Sequence, residues 1–199
     1  MIASTNRLYK DLAWLWKLWG DPHKEYAEYS NYVMQNLQHL YPKRIESILV
    51  LGCGGGKNVF TVKKFGRTIG LDISPDMLNL AKQLNPEVDF VCADMRTFSL
   101  GSTFDAIFID DAVSYMISEE DLSQLFTCCI NHLKPGGVLS VSPDKTTENF
   151  QNNATETFRS IPHSQYPDTE IVYIVNDYDP DADDNTYETT FLYLIRQNG

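Results

Sequence analysis

The sequence predicts an α/β fold: a three-layer sandwich of helices around a mostly parallel sheet, followed by a C-terminal antiparallel hairpin. Three observations predict it. Ile48, Leu49, Val50 and Leu51 form an uninterrupted apolar run ending at a glycine turn, the pattern of a parallel strand buried on both faces. Apolar strand patterns then alternate with helical ones as far as Ser142, as expected of a parallel sheet with crossover helices. After Pro143 the alternation stops, and 170–176 and 186–196, rich in β-branched and aromatic residues, read as two neighbouring strands.

The totals bound what such a fold can do. A chain of 199 residues, 43% hydrophobic and 22% charged, suits a single domain with one substantial core. Its expected parts are a helical lid over 1–44, a cofactor-binding core over 45–145, and a loop and hairpin over 146–199. No apolar run approaches the roughly 20 residues that span a bilayer, and no secretory leader is visible. Cys53, Cys92, Cys128 and Cys129 lack C-x-x-C spacing, which argues against a zinc site or disulfide framework and for a reducing, cytoplasmic setting. A net charge of −11 without a Lys/Arg cluster argues against a nucleic-acid partner and favours a cationic ligand.

Residues 5–40 read as two helices broken at Gly20-Asp21-Pro22. Leu8, Leu12, Leu15 and Trp19 recur at helical spacing in the first, and Asp21 before Pro22 is a natural cap for the second. The pair either covers the sheet or closes over its ligand as a lid. The apolar strand 48–51 then meets Gly52, Gly54, Gly55 and Gly56, where the chain can approach a ligand without a Cβ in the way. A P-loop is excluded, because Leu51 holds its first glycine position and Asn58 replaces its hydroxyl. The dinucleotide pattern G-x-G-x-x-G meets Lys57 where its third glycine belongs. What remains is G-x-G-x-G at Gly52, Gly54 and Gly56.

A second strand, 68–72, ends in Asp72, twenty residues past Gly52 and at the distance from which a carboxylate reaches ribose hydroxyls. Ser74 and Pro75 then open a helix as cap and first residue. A third strand, 88–92, leads to Asp94, and a fourth, 104–109, leads to Asp110 and Asp111. The end of the fourth strand faces the ligand in such sheets, which makes Asp111 and Tyr115 candidates for holding or deprotonating a second substrate. Capping or packing at the next helix is the alternative for both. That helix starts at Glu119, with Leu122, Leu125, Phe126 and Ile130 on its apolar face, and Pro135-Gly136-Gly137 turns into a fifth strand over 138–142. Residues 144–168 read as a polar loop. Asp177, Asp179, Asp181 and Glu188 match calcium-loop positions, but Ala182 replaces the required glycine and the flanks are strands, so a solvated turn and no metal are expected.

Taken together, Gly-Cys-Gly-Gly-Gly at 52–56, Gly-Leu-Asp-Ile-Ser-Pro-Asp-Met-Leu at 70–78, Ala-Asp-Met-Arg at 93–96 and Leu-Lys-Pro-Gly-Gly at 133–137 resemble the class I S-adenosylmethionine-dependent methyltransferases, with their Rossmann-like fold. The 93–101 stretch is especially similar to sugar N-methyltransferases and their small-molecule relatives. The resemblance implies methyl transfer from S-adenosylmethionine to an N, O or C atom of a small molecule. It implies cofactor contacts from Tyr9 of the lid, from Gly52, Cys53, Gly54 and Gly56 of the turn, and from Asp72, Ile73 and Met77. Asp94 and Met95 would meet the adenine, and Asp110 the reactive end.

Two departures accompany the resemblance. Val50 stands where the family carries an acidic residue, and the family continues past the hairpin with further elements. Either the hairpin supplies the last strands, or a sheet edge is left open and invites two copies to associate. These departures also support a different reading, a cofactor-binding or interaction module without transferase activity.

Overall fold

The computed structural model describes residues 6–197, which divide into two compact units: the chain through residue 13 with 21–144, and residues 14–20 with 145 onward. In the first unit β1 (Ser47–Leu51) lies between β2 (Arg67–Asp72) and β4 (Phe104–Ile109), flanked by β3 (Asp89–Cys92) and β5 (Leu133–Val141). The order is β3-β2-β1-β4-β5 and every neighbouring pair is parallel.

The continuous apolar run of β1 has a layered cause. Ile48 and Val50 face one side, against Val33, Met34 and Leu37 of α1 (Glu25–Leu40), Val59 and Val62 of α2 (Lys57–Val62), and Leu78 of α3 (Pro75–Leu84). Leu49 and Leu51 face the other side, with Leu125 and Cys129 of α4 (Glu119–His132). A strand clothed on both faces has no polar side to show, which is why it carries no alternation. The predicted three layers are therefore present.

Asp105 breaks the apolar run of β4 and is nonetheless buried. Its carboxylate accepts hydrogen bonds from the Tyr41 hydroxyl at 2.6 Å, the Glu46 and Ser47 amides at 3.0 and 2.9 Å, and Lys134 Nζ at 2.9 Å. Burial works against ionisation there, but these donors hold the group well below the usual carboxylate range. The start of β4 is thus pinned to the start of β1.

Three expectations need correction. The first N-terminal helix is instead two short 3-10 turns, Arg7–Tyr9 and Ala13–Leu18. Its apolar residues are too dense for a one-sided stripe: Leu8 and Leu15 are buried as expected, but Leu18 is buried while Leu12 and Trp19 are only half-buried. The second helix starts at Glu25 with no side-chain cap, because Asp21 instead accepts the His23 amide in a local turn. On α4 the buried residues are Leu125, Cys129 and His132, while Phe126 and Ile130 are exposed. By contrast α3 is capped as predicted: Ser74 Oγ accepts from the Met77 amide, with proline in the first turn.

The second unit holds an antiparallel sheet of β6 (Ala154–Arg159), β7 (Thr169–Tyr178) and β8 (Glu188–Gln197), in that order. The predicted hairpin is β7 and β8; the third strand, β6, lies in the stretch read as loop. Between β7 and β8, Asp179, Asp181 and Asp184 each accept a backbone amide two residues on, a chain of solvated turns. Among the described residues no His, Cys, Asp or Glu group is arranged to hold a metal, and no helix is long and apolar enough to cross a membrane.

Candidate active site

Parallel register brings the predicted residues to one edge. Leu51 pairs with Leu71 and Ile109, Asp72 with Cys92, and Ile109 with Val141, so Gly52, Asp72, Asp94 and Asp110 all lie at or just past the carboxyl ends of adjacent strands. Ligands bind in that position in open parallel sheets.

The glycine turn is built by backbone geometry. Gly52, Gly54 and Gly56 have φ of +60°, +51° and +79°, the left-handed region that costs other residues energy. A Cβ on Gly52 would stand 2.1 Å from the Ala112 Cβ, so the turns after β1 and β4 pack against each other. The Asp72 carboxylate braces the turn: it accepts the Gly54 amide and the Ser74 amide, each at 2.8 Å. Burial raises its pKa and these amides oppose the rise. The Ile73 amide adds to these, and with about four acceptor positions a carboxylate so held keeps room for a ligand donor. Lys57, next in sequence, is buried with Nζ 5.1 Å from the Tyr26 ring; burial lowers its pKa to about 7, against the pull of Glu25 and Asp21.

At the end of β4 the structure assembles acidic groups. Asp110 accepts the Tyr29 hydroxyl and Asn58 Nδ2, both at 2.7 Å, and Ser30 Oγ in turn holds Asn58 at 2.9 Å. Asp111 shares a hydrogen bond with Asp144, just past β5. Crowding by protein first, then that hydrogen bond and the charge of Asp110, raises Asp111 well above the usual carboxylate range. Burial and the charge of Asp144 raise Asp110 as well, and Tyr29 and Asn58 oppose this. Three carboxylates in one corner leave a deficit of positive charge that a cationic ligand would relieve.

The N-terminal segment reaches the same edge. Tyr9 and Tyr115 hydroxyls are 2.6 Å apart with their rings edge to face, and Ser74 Oγ donates to the Tyr9 carbonyl at 2.5 Å. Tyr115 is raised by burial and by the charges of Asp111, Asp72 and Asp144, which places all four in one electrostatic neighbourhood.

The remaining predicted residues differ in availability. Ile73 is 56% exposed beside Asp72, an apolar surface open to a ring. Asp94 accepts from the Arg96 amide at 2.9 Å and from its Nε and Nη2 at 3.0 and 2.6 Å, and Arg96 also holds Asp121 at 2.6 Å. Met95 packs against the core on the α4 side. Cys53 and Met77 are buried, so their side chains serve the core and only their backbone remains for the edge. Sequence reasoning missed Tyr29, Asn58 and Asp144. Asp144 was detectable as the acidic residue after β5; nothing marks Tyr29 within its helix.

Residues 48–137 match a family model described as a methyltransferase domain. A dTDP-3-amino-3,4,6-trideoxy-alpha-D-glucopyranose N,N-dimethyltransferase of Streptomyces venezuelae is 35% identical over 130 residues, 64% of this chain and 54% of that one. A trans-aconitate 2-methyltransferase of Azoarcus sp. (strain BH72) is 29% identical over 119 residues, 58% of this chain and 45% of that one. The chain thus spans about half the length of the curated relatives it matches. Among solved structures, Streptomyces venezuelae DesVI superposes with a TM-score of 0.74 at 23% identity, covering 94% of this chain and 80% of its own. CalS10, an amino pentose methyltransferase from Micromonospora echinaspora solved with S-adenosylmethionine, gives 0.71 at 22% identity, covering 87% and 77%.

Proposed function

We propose that this chain, whose residues 48–137 match a methyltransferase-domain model, binds S-adenosylmethionine at the carboxyl edge of its parallel sheet and methylates a small molecule. The acceptor is a nitrogen, oxygen or carbon nucleophile, and an amino sugar is the first class to test, since the relatives named above include an amino-sugar N,N-dimethyltransferase. The observation that carries the reading is Asp72, held by the glycine turn and by Ser74 with acceptor capacity to spare.

The residues present fit the cofactor. Asp72 suits a cis-diol, exposed Ile73 suits the face of an adenine, and the carboxylates after β4 and β5 suit its ammonium and sulfonium charges. When bound, S-adenosylmethionine supplies an electrophilic methyl group. The chain's residues then have three tasks. The glycine turn and Asp72 fix the donor, and alignment of donor and acceptor can supply about 7–11 kcal/mol of barrier reduction. Tyr9 and Tyr115, hydrogen-bonded to each other at the exposed rim, flank the donor site. Asp111, with its raised proton affinity, accepts a proton from an acceptor that arrives protonated, a contribution of roughly 10²–10⁴-fold.

Four free cysteines suit a reducing, cytoplasmic setting, and the net charge of −11 suits neither nucleic acid nor an anionic membrane surface. The alternative, a module that binds the cofactor without transfer, draws no support from the relatives named above. Incubation with methyl-labelled S-adenosylmethionine and a panel of amino sugars, hydroxylated sugars and carboxylic acids tests the reading. Label is expected in a small-molecule acceptor; label in none of them, with the cofactor bound, counts against transfer to these classes.

A further inference from the structure

The turn after β3 is held by one guanidinium. Arg96 offers Asp94 three N–H groups: its amide to Oδ1 at 2.9 Å, Nε to Oδ1 at 3.0 Å and Oδ2 at 3.2 Å, and Nη2 to Oδ2 at 2.6 Å. On its other side Nη1 reaches Oδ1 of Asp121, in the first turn of α4, at 2.6 Å. Isolated surface ion pairs contribute little, but here one fork grips two carboxylates whose side chains are only 26% and 18% exposed. Its effect is geometric. A planar, rigid guanidinium anchored on α4 fixes the plane of the Asp94 carboxylate. Three N–H groups on a carboxylate with about four acceptor positions leave room for one more donor.

The strand order says where that donor comes from. Along β3-β2-β1-β4-β5 the carboxyl edge carries Asp94, then Asp72, the glycine turn, and the corner of Asp110, Asp111 and Asp144. In the cofactor reading proposed above, on which this inference rests, Asp72 takes the ribose and the acidic corner the cationic end. The base then runs the other way, past exposed Ile73 to the end of β3. There the Ala93 amide donates to the Asp72 carbonyl at 3.1 Å, and Asp94 comes next. We propose that Arg96 is a positioning residue that sets base specificity: anchored on Asp121, it holds Asp94 with one acceptor position open for the 6-amino group of a purine. A 6-oxo purine would bring a second acceptor against the carboxylate, and a site built to receive an N–H rejects such an analogue strongly. The charge of Asp94 is felt at Asp121, so with the guanidinium removed the two carboxylates repel and Asp94 is free to turn away.

Calorimetric titration with S-adenosylhomocysteine and its 6-oxo counterpart, S-inosylhomocysteine, tests the proposal, with circular dichroism confirming that each variant is folded. The wild type should bind the first about a hundredfold more tightly. Arg96→Leu should bring that ratio to about tenfold or below. Arg96→Lys, a point charge that cannot grip both oxygens, should fall between the two. Asp94→Asn, which offers a donor as well as an acceptor, should abolish the preference. A merely structural loss would weaken both ligands alike and leave the ratio where it was. A ratio unmoved in Arg96→Leu therefore overturns the role of Arg96. A ratio unmoved in Asp94→Asn, or equal affinity of the wild type for both ligands, overturns the placement of the base. These outcomes leave cofactor binding standing, whereas a wild type that binds neither ligand overturns that binding and this proposal together.

Discussion

Asp111, after β4, is hydrogen-bonded to Asp144, after β5, with Asp110 adding like charge to both. That hydrogen bond and that charge both raise the pKa of Asp111, beside the larger effect of its surroundings. The pair joins the ends of two adjacent strands and is the most acidic corner of the candidate site.

The pH dependence of turnover follows with a definite sign. Asp111 must be ionised to accept a proton, so kcat should rise as pH passes its raised pKa. Asp144→Asn removes a like charge, one of the causes of the rise, and should move the acid limb of the kcat profile to lower pH. An unmoved limb removes Asp144 from the pair.

Stability should carry the same signature. A carboxyl whose folded pKa is raised binds more protons folded than unfolded, so its contribution falls as pH climbs from its ordinary value towards the raised one. Asp144→Asn should therefore increase Tm more at pH 8 than at pH 4, as read by thermal melts.

Asp105 should show the opposite sign. Its folded pKa is depressed, so it stabilises the fold above the unfolded value near about 4, and this is lost as pH falls. Asp105→Ala removes the acceptor for Tyr41, Lys134 and two amides and should cost about 3 kcal/mol at pH 7 by urea denaturation.

The two tyrosines at 2.6 Å should separate by kinetics. Tyr9→Phe is expected to raise the cofactor Kd about fivefold, the worth of one net hydrogen bond. Tyr115→Phe is expected to lower kcat about tenfold with little change in that Kd. Equal kinetics for wild type and Tyr115→Phe would demote the residue to packing.

Gly52→Ala should lose both fold stability and ligand affinity, because the new methyl falls on Ala112 and φ is +60°. A cost of roughly 1–3 kcal/mol is expected in denaturation.

What the sequence revealed follows from where burial leaves a pattern. The glycine turn, Asp72 and the Ser74 cap were readable because backbone chemistry restricts those positions to a few residue types. β6 was not, since its side chains are exposed almost throughout and show no apolar face. On α4 the error has one cause: Cys129 and His132 fill core positions that larger apolar residues seemed to claim, leaving Phe126 and Ile130 outside. His132 is satisfied there, its Nε2 accepting the Leu100 amide and Nδ1 meeting the Cys128 carbonyl. Asp94 was correctly placed at the end of β3, but its pairing with Arg96 depends on a local turn that spacing alone does not disclose.

Calorimetric titration of the chain with S-adenosylhomocysteine, with NAD as control, tests the central claim most directly. The account predicts micromolar binding of the first, none of NAD, and affinity weaker by on the order of a hundredfold in Asp72→Ala, which loses a charged acceptor at the diol. Absence of binding to wild type, or undiminished binding to Asp72→Ala, would contradict it.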